Sequence, residues 1–245
     1  MNSFGAHRMK NLFQSIESHK NALCEYSFCK QLRNIPRVTV QSFAFVPHMT
    51  FFVLSFKDML ENLRVKQSKN AIEVMINEHC SEDSDHWQWF LEDLQRLNLN
   101  IQSWGGDITS TLSLIWSDSS FAVRNQVYRV MHHIYQCKTP HEKLILMECL
   151  EAAFAAFVIN LNVLTKKAGL YQKLKYFGEH HFEKESDHAM GSWLDASQPK
   201  QVTPYQARYA IREEYMQAMI DDIFAGFNRV FSVWEKSLRN DLSGV

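Results

Sequence analysis

Apolar residues recur at intervals of three and four along most of the chain, the spacing of amphipathic helices. The pattern predicts a first helix over residues 9–32. Ile35-Pro36 ends it, because proline disfavours helical backbone in the residue before it. A second helix is predicted over 38–63 with a kink at Pro47, and a third over 70–97. The run Trp104-Gly105-Gly106-Asp107 breaks the pattern. Two shorter helices follow, over 108–116 and 119–137. Thr139-Pro140 then reads as an N-cap with proline at the first helical position. The sixth helix runs from there to 166, with Gly169 marking its end. A seventh is predicted over 170–190, then a loop over 191–203, and Thr203-Pro204 opens a last helix to 238. Repeats, low-complexity tracts and linkers are lacking, so the expectation is one all-α domain over residues 1–245.

Composition supports long helices: Gly and Pro number only 8 and 5. The formal net charge is −1, from 26 basic and 27 acidic residues without a basic tract, so the electrostatic footprint of a nucleic-acid binder is missing. The five cysteines (24, 29, 80, 137 and 149) form no C-x-x-C pair, which points to reduced, buried thiols. The N-terminus lacks the layout of a signal peptide. The apolar stretch over 43–56 is too short to span a bilayer and is interrupted by Pro47 and His48. A cytoplasmic protein with no membrane or nucleic-acid partner is expected.

Histidine changes this picture. Two clusters of histidine and acid fall inside predicted helices, one from Glu78 to His86 and one from His180 to His188. A helix turns about 100° per residue, so His181, Glu185 and His188 stack on one face over two turns. They offer two imidazoles and a carboxylate, a donor set suited to iron or manganese. The neighbouring register (His180, Lys184, Asp187) would put an ammonium in the middle of the site. His79 and His86 share a face of the third predicted helix, with Glu82 and Asp83 near it. Taken alone, the acids there read as a solvated face. Glu148 and Glu151 sit in an otherwise apolar run of the sixth helix, where buried carboxylates need a partner, and a metal ion would provide one.

The run His181-x-x-x-Glu185-x-x-His188, preceded by Tyr176-Phe177, resembles the C-terminal motif of the haem-oxygenase-like diiron oxidases and oxygenases. That family also pairs an acid with a histidine seven residues later on an earlier helix, the spacing of His79 and His86. It has a lone glutamate on a middle helix, where Glu148 and Glu151 stand. The resemblance implies a haem-oxygenase-like bundle of about seven helices and two Fe(II) ions held by His79, His86, Glu148 or Glu151, His181, Glu185 and His188. It also implies O2 as co-substrate, a homodimer and an external reductant. Glu185 stands where the family more often has Asp. His79 stands where it usually has Glu, which leaves Glu78, Glu82 or Asp83 as substitutes.

The function implied is O2-dependent oxidation of a small organic substrate. Aromatic residues such as Phe43, Phe45, Phe51, Phe52, Trp87, Trp89, Tyr128 and Phe182 either pack the core or line a pocket. If some line the site, an aromatic, tryptophan-like amino acid is the expected substrate. The His-for-Glu exchange resembles the subgroup that cleaves a C–C bond of such an amino acid to give a nitrile. Two other classes stay open. One is a ferritin-like diiron protein, from Asp83-x-x-His86 and Glu185-x-x-His188. The other is a metal-free thiamin-salvage-type hydrolase, which would need Cys137 or Cys149 in the pocket.

Overall fold

Thr139 and Pro140 start the helix around which the others pack. The Thr139 hydroxyl accepts the Glu142 N–H, and Pro140 occupies the first turn, where its missing N–H costs nothing. The computed structural model describes residues 3–99, 107–187 and 212–242. Every regular element among them is helical: α1 (Ser3–Cys24), α2 (Ser27–Asn34), a 3₁₀ turn (Val40–Phe43), α3 (Val46–Leu63), α4 (Ala71–Asp83), α5 (His86–Arg96), α6 (Ile108–Trp116), a second 3₁₀ turn (Asp118–Ser120), α7 (Phe121–Gln136), α8 (Pro140–Lys167), α9 (Glu179–Asp187) and α10 (Glu213–Leu242). The chain is an all-α bundle. Its central rod α8 touches α1, α2, α4, α7 and α10, while α3 packs on α4, α5, α6 and α7.

The bundle is held together by apolar burial along α8 and by an aromatic cluster at its middle. Phe28, Phe45, Phe157, Phe231 and Trp234, from four separate segments, pack edge-on, tilted or stacked. Ring centroids lie as close as 5.2 Å (Phe28–Phe45) and 5.3 Å (Phe157–Trp234). Such rings each bury roughly 150–250 Å². By length and composition alone, Val40–Leu63 and Pro140–Lys167 could each cross a membrane. In the fold, 78% of the apolar window of Pro140–Lys167 is buried against other helices.

Several predicted boundaries are corrected. The first helix divides at Glu25-Tyr26: Tyr26 is extended (φ −62°, ψ 149°), and its hydroxyl reaches Ser232 at 2.5 Å. Pro47 does not kink a helix over 38–63. It lies in the first turn of α3, which starts only at Val46. The third predicted helix also divides, at Ser84-Asp85, where the Ser84 hydroxyl donates to the Ser81 carbonyl at 3.0 Å and competes with the helical ladder.

The largest correction concerns residues 170–178, predicted as helix but folded as turns. Gly169 closes α8 with φ +65°, and the Leu170 N–H donates back to Thr165 O at 2.9 Å. The Lys175 and Phe177 N–H groups then donate to the two carboxylate oxygens of Asp93 on α5, both at 2.9 Å, rather than to carbonyls one turn earlier. Gly178 allows the chain to turn into α9, since a Cβ there would stand 2.2 Å from Leu174 O and 2.3 Å from Tyr171 O. The expected break at 104–107 lies outside the described residues except for Asp107. So do the expected loop over 191–203 and the expected opening at Thr203-Pro204.

Candidate metal centre

Glu151, in the apolar run of α8, faces His79, the one histidine of α4. The His79 Nε2 lies 3.0 Å from Glu151 Oε1 and 3.0 Å from Asp83 Oδ2, and one nitrogen, one Glu oxygen and one Asp oxygen all fall within 4.8 Å of one another. His79 and Asp83 are one helical turn apart on α4, so their side chains overlie on one face. Both are almost wholly buried, at 4% and 3% exposure. Of the acids weighed as substitutes near His79, Glu78 and Glu82 are exposed, and Asp83 is the one that comes to the cluster.

His86 begins α5 just past the turn, and its Nδ1 lies 3.9 Å from Asp83 Oδ1. His79 and His86 therefore do not share one continuous helix, yet both reach Asp83. His181, from the first turns of α9, meets the His86 ring edge-on with centroids 4.5 Å apart. The His181 Nδ1–H donates to the Tyr176 carbonyl at 2.9 Å. A carbonyl can only accept, so the neutral ring carries its lone pair on Nε2, the arrangement typical of a metal-ligating histidine. Tyr176, Phe154 and Trp89 frame this ring. Glu148 lies one turn before Glu151 and is 3% exposed. The side chain of Glu185 and the whole of His188 lie outside the described residues.

The donor set fits a cation. One Nε2 proton faces two carboxylate oxygens at equal distance and can satisfy only one of them well; a metal ion in its place would satisfy both. Among the described residues, Asp83 Oδ1 and Glu148 Oε2 are buried with no hydrogen-bond partner, a costly arrangement for carboxyl groups unless a positive charge is nearby. Histidine nitrogens with carboxylate oxygens suit iron or manganese.

The metal-free cluster compensates with protons. Burial alone would lower the pKa of His79, but its hydrogen bonds to Asp83 and Glu151 and their charges outweigh this and hold it at about 12. Burial pushes Glu148 up to about 7, against the pull of the His79 charge. Both groups hold protons more tightly folded than unfolded. Their stabilisation is therefore full below their ordinary values. It is lost as pH rises, for Glu148 toward about 7 and for His79 toward about 12. Metal ligation requires the opposite, deprotonated donors, and so strengthens with pH. Between roughly pH 6 and pH 8.5, the melting temperature of metal-free protein is expected to fall while the increase caused by Fe(II) or Mn(II) grows. Thermal melts with and without metal under argon measure both slopes, and the metal-free slope should flatten in His79→Gln. A metal-free melting temperature that rises across this window contradicts the assignment.

The cluster lies at one end of a cavity between α3, α5, α8 and α10. Asp83, His86, Glu151 and His181 form its polar end, and the other walls are mainly apolar and aromatic. Phe52, Trp87 and Tyr176 line it, whereas Phe43 and Phe45 are buried core residues outside its lining. Two residues with clear roles went unselected in the sequence. Asp93 anchors the segment that carries His181, and the only hint was an acid on the apolar side of α5. Asp83 entered only as a substitute at the His79 position and in the ferritin-like pairing with His86, although His79-x-x-x-Asp83 repeats the i, i+4 spacing of His181 and Glu185. Compared with models of known protein families and with characterised proteins, the chain gives no match, so its functional reading rests on these residues.

Proposed function

We propose that the protein is an O2-activating non-haem diiron oxidase or oxygenase of the haem-oxygenase-like kind, acting on a small organic substrate in the aromatic cavity. The observation that supports it most is the convergence of His79, Asp83 and Glu151 within 4.8 Å, at the cavity end where His86 and His181 also meet. His79, Asp83, His86, Glu151 and His181 are the described residues that would hold the metals. Glu148 stands in reserve beside them, and Glu185 and His188 belong to the same proposal from the sequence motif. Two ferrous ions so held would supply the electrons and Lewis acidity that O2 reduction needs.

The chain's own residues do the rest. His79 gives up its shared proton when the site is loaded. Tyr176 O fixes the ring of His181 through Nδ1. The walls formed by Phe52, Trp87, Phe154 and Trp234 exclude water and hold an apolar substrate against the polar end. The substrate put forward is a tryptophan-like amino acid, oxidised with C–C cleavage to a nitrile. A homodimer, an external reductant and a cytoplasmic setting complete the proposal.

The alternative classes receive less support. No cysteine lines the cavity among the described residues, and burial pushes the Cys137 thiol up to about 12, so a thiol nucleophile has no favourable setting. The break after Asp83 takes Asp83-x-x-His86 off a single helix, which the paired ferritin-like motif would need. Anaerobic loading with Fe(II), metal analysis and then O2 uptake with tryptophan analogues test the proposal. About two irons per chain and substrate-dependent O2 consumption are expected. Protein that retains no stoichiometric iron would remove the reading.

A further inference from the structure

Far from the histidine cluster in sequence, α6 and α7 turn an aromatic, uncharged face to solvent. Ten large hydrophobic side chains are exposed among the described residues, and six of them belong here: Leu54 on α3, Leu112 and Trp116 on α6, and Phe121, Tyr128 and Tyr135 on α7. The three α7 residues are seven apart, so they form one stripe along the helix that drifts only about 20° per repeat. Phe51 joins α6 to that stripe, its ring centroid 5.9 Å from Trp116 and 6.1 Å from Tyr128. The Tyr135 hydroxyl donates to Asn62 Oδ1 on α3 at 2.9 Å. α6 contains no charged residue, and none of residues 109–116 is buried. None of the exposed residues of α7 is Asp, Glu, Lys or Arg. Arg124 is 7% exposed, and its guanidinium donates to the Ile115 and Ser117 carbonyls, 5.1 Å from the centre of the Trp116 ring. Asp58, two turns past Phe51 on α3, and Asp107 and Asp118, beyond either end of α6, flank the face with acids.

We infer that this face pairs with the same face of a second copy of the chain, α7 against α7, about a two-fold axis near Tyr128. At 49–68% exposure, the rings at 116, 121, 128 and 135 each leave roughly 100–150 Å² uncovered. Together that is more than half of the roughly 800 Å² each partner brings to a stable interface. A two-fold contact sets the residues at its centre against their own copies, so a charge there meets a like charge. An aromatic stripe without charges meets its copy at no such cost. The seven-residue repeat keeps the seam together between two helices that coil gently about each other. Tyr128 is the middle ring of the three, so the axis falls there. The flanking acids stay hydrated and screened. They also oppose the other candidate occupant, an anionic lipid surface, which favours a rim rich in lysine and arginine. The pairing gives a surface to the homodimer of the proposed function and rests on that reading for the expectation of a dimer; α6 and α7 themselves carry none of the proposed metal ligands. It also holds α3 between the second copy on its Phe51 side and the cavity on its Phe52 side.

Sedimentation equilibrium of the full chain tests it, on wild type, Tyr128→Lys and Val74→Lys. Val74 is an exposed apolar residue on α4, outside this face. Wild type is expected to sediment at twice the 28.7 kDa of one chain. Tyr128→Lys should weaken the dimer by at least about 100-fold, because two ammonium groups meet at the axis. Val74→Lys should leave the dissociation constant within about threefold. Helical circular dichroism should be the same in all three, since both positions lie at the surface. Oxidation with diamide should link Tyr128→Cys into a covalent dimer and leave Val74→Cys unlinked. A monomeric wild type, or a dimer equally tight in Tyr128→Lys, overturns the pairing. A monomer that binds phosphatidylserine vesicles overturns it too and assigns the face to lipid. Iron content read on the same samples separates the two proposals: an intact dimer without iron is a failed diiron centre, and a monomer with about two irons per chain is a failed pairing.

Discussion

Asp83→Asn is expected to reduce bound iron to at most one ion per chain and to lower substrate-dependent O2 consumption by at least about 100-fold, beyond the 10–100-fold typical of residues that merely orient a ligand. The reason is position. Asp83 is the carboxylate that lies between two histidines, with Oδ2 3.0 Å from His79 and Oδ1 3.9 Å from His86. Among the described residues its Oδ1 has no hydrogen-bond partner to compensate for its burial. Asparagine keeps its shape but not its charge, so the helical circular dichroism should be unchanged while the metal is lost. Iron content and O2 uptake on the same preparation check it. A variant with both irons and near-normal turnover would show that Asp83 is not a ligand.

Asp93→Ala is expected to act on the fold first and on the site second. Asp93 is fully buried, and its carboxylate takes the Lys175 and Phe177 N–H groups. Burial raises its pKa, while the same backbone N–H groups pull it down. Removing the carboxylate strands one buried donor, Phe177 N–H, and one half-buried donor, Lys175 N–H; a buried donor left unsatisfied costs about 1–3 kcal/mol. A loss of about 3 kcal/mol is expected in urea unfolding, with a matching fall in melting temperature. Residues 173–177 are also tied to α5 by Arg96 to Lys173 O and by Lys175 to Glu92, so the turn should loosen rather than detach. His181 follows it, and metal affinity should fall with stability. A change within about 1 kcal/mol would mean that those N–H groups find other acceptors.

Much of the architecture was legible because its signals are local. Thr139-Pro140 and Gly169 bracket α8 close to where the periodicity placed its ends, and α6 spans the predicted residues. Part of the candidate site was legible for the opposite reason. Acids at 148 and 151 inside an apolar helix contradict their surroundings, and that conflict points to a partner elsewhere in the chain. The breaks were not legible where a distant residue makes them. The acceptor for the N–H groups of Lys175 and Phe177 is Asp93, on another helix, so 170–178 carries a helical pattern without helical bonds. The break at Ser84-Asp85 is hidden because apolar spacing continues in phase across it.

That interruption after Asp83 has a mechanical outcome. His79 and Asp83 ride on one rod and His86 on the next, so the gap between imidazoles is set by a two-residue elbow rather than by the fixed rise of a helix. Small rotations at Ser84 and Asp85 can widen or narrow that gap while both rods stay seated on their neighbours. The spacing between the donors of the proposed metal centre can therefore be adjusted, by substitution or by an incoming ligand, without repacking the bundle's interior.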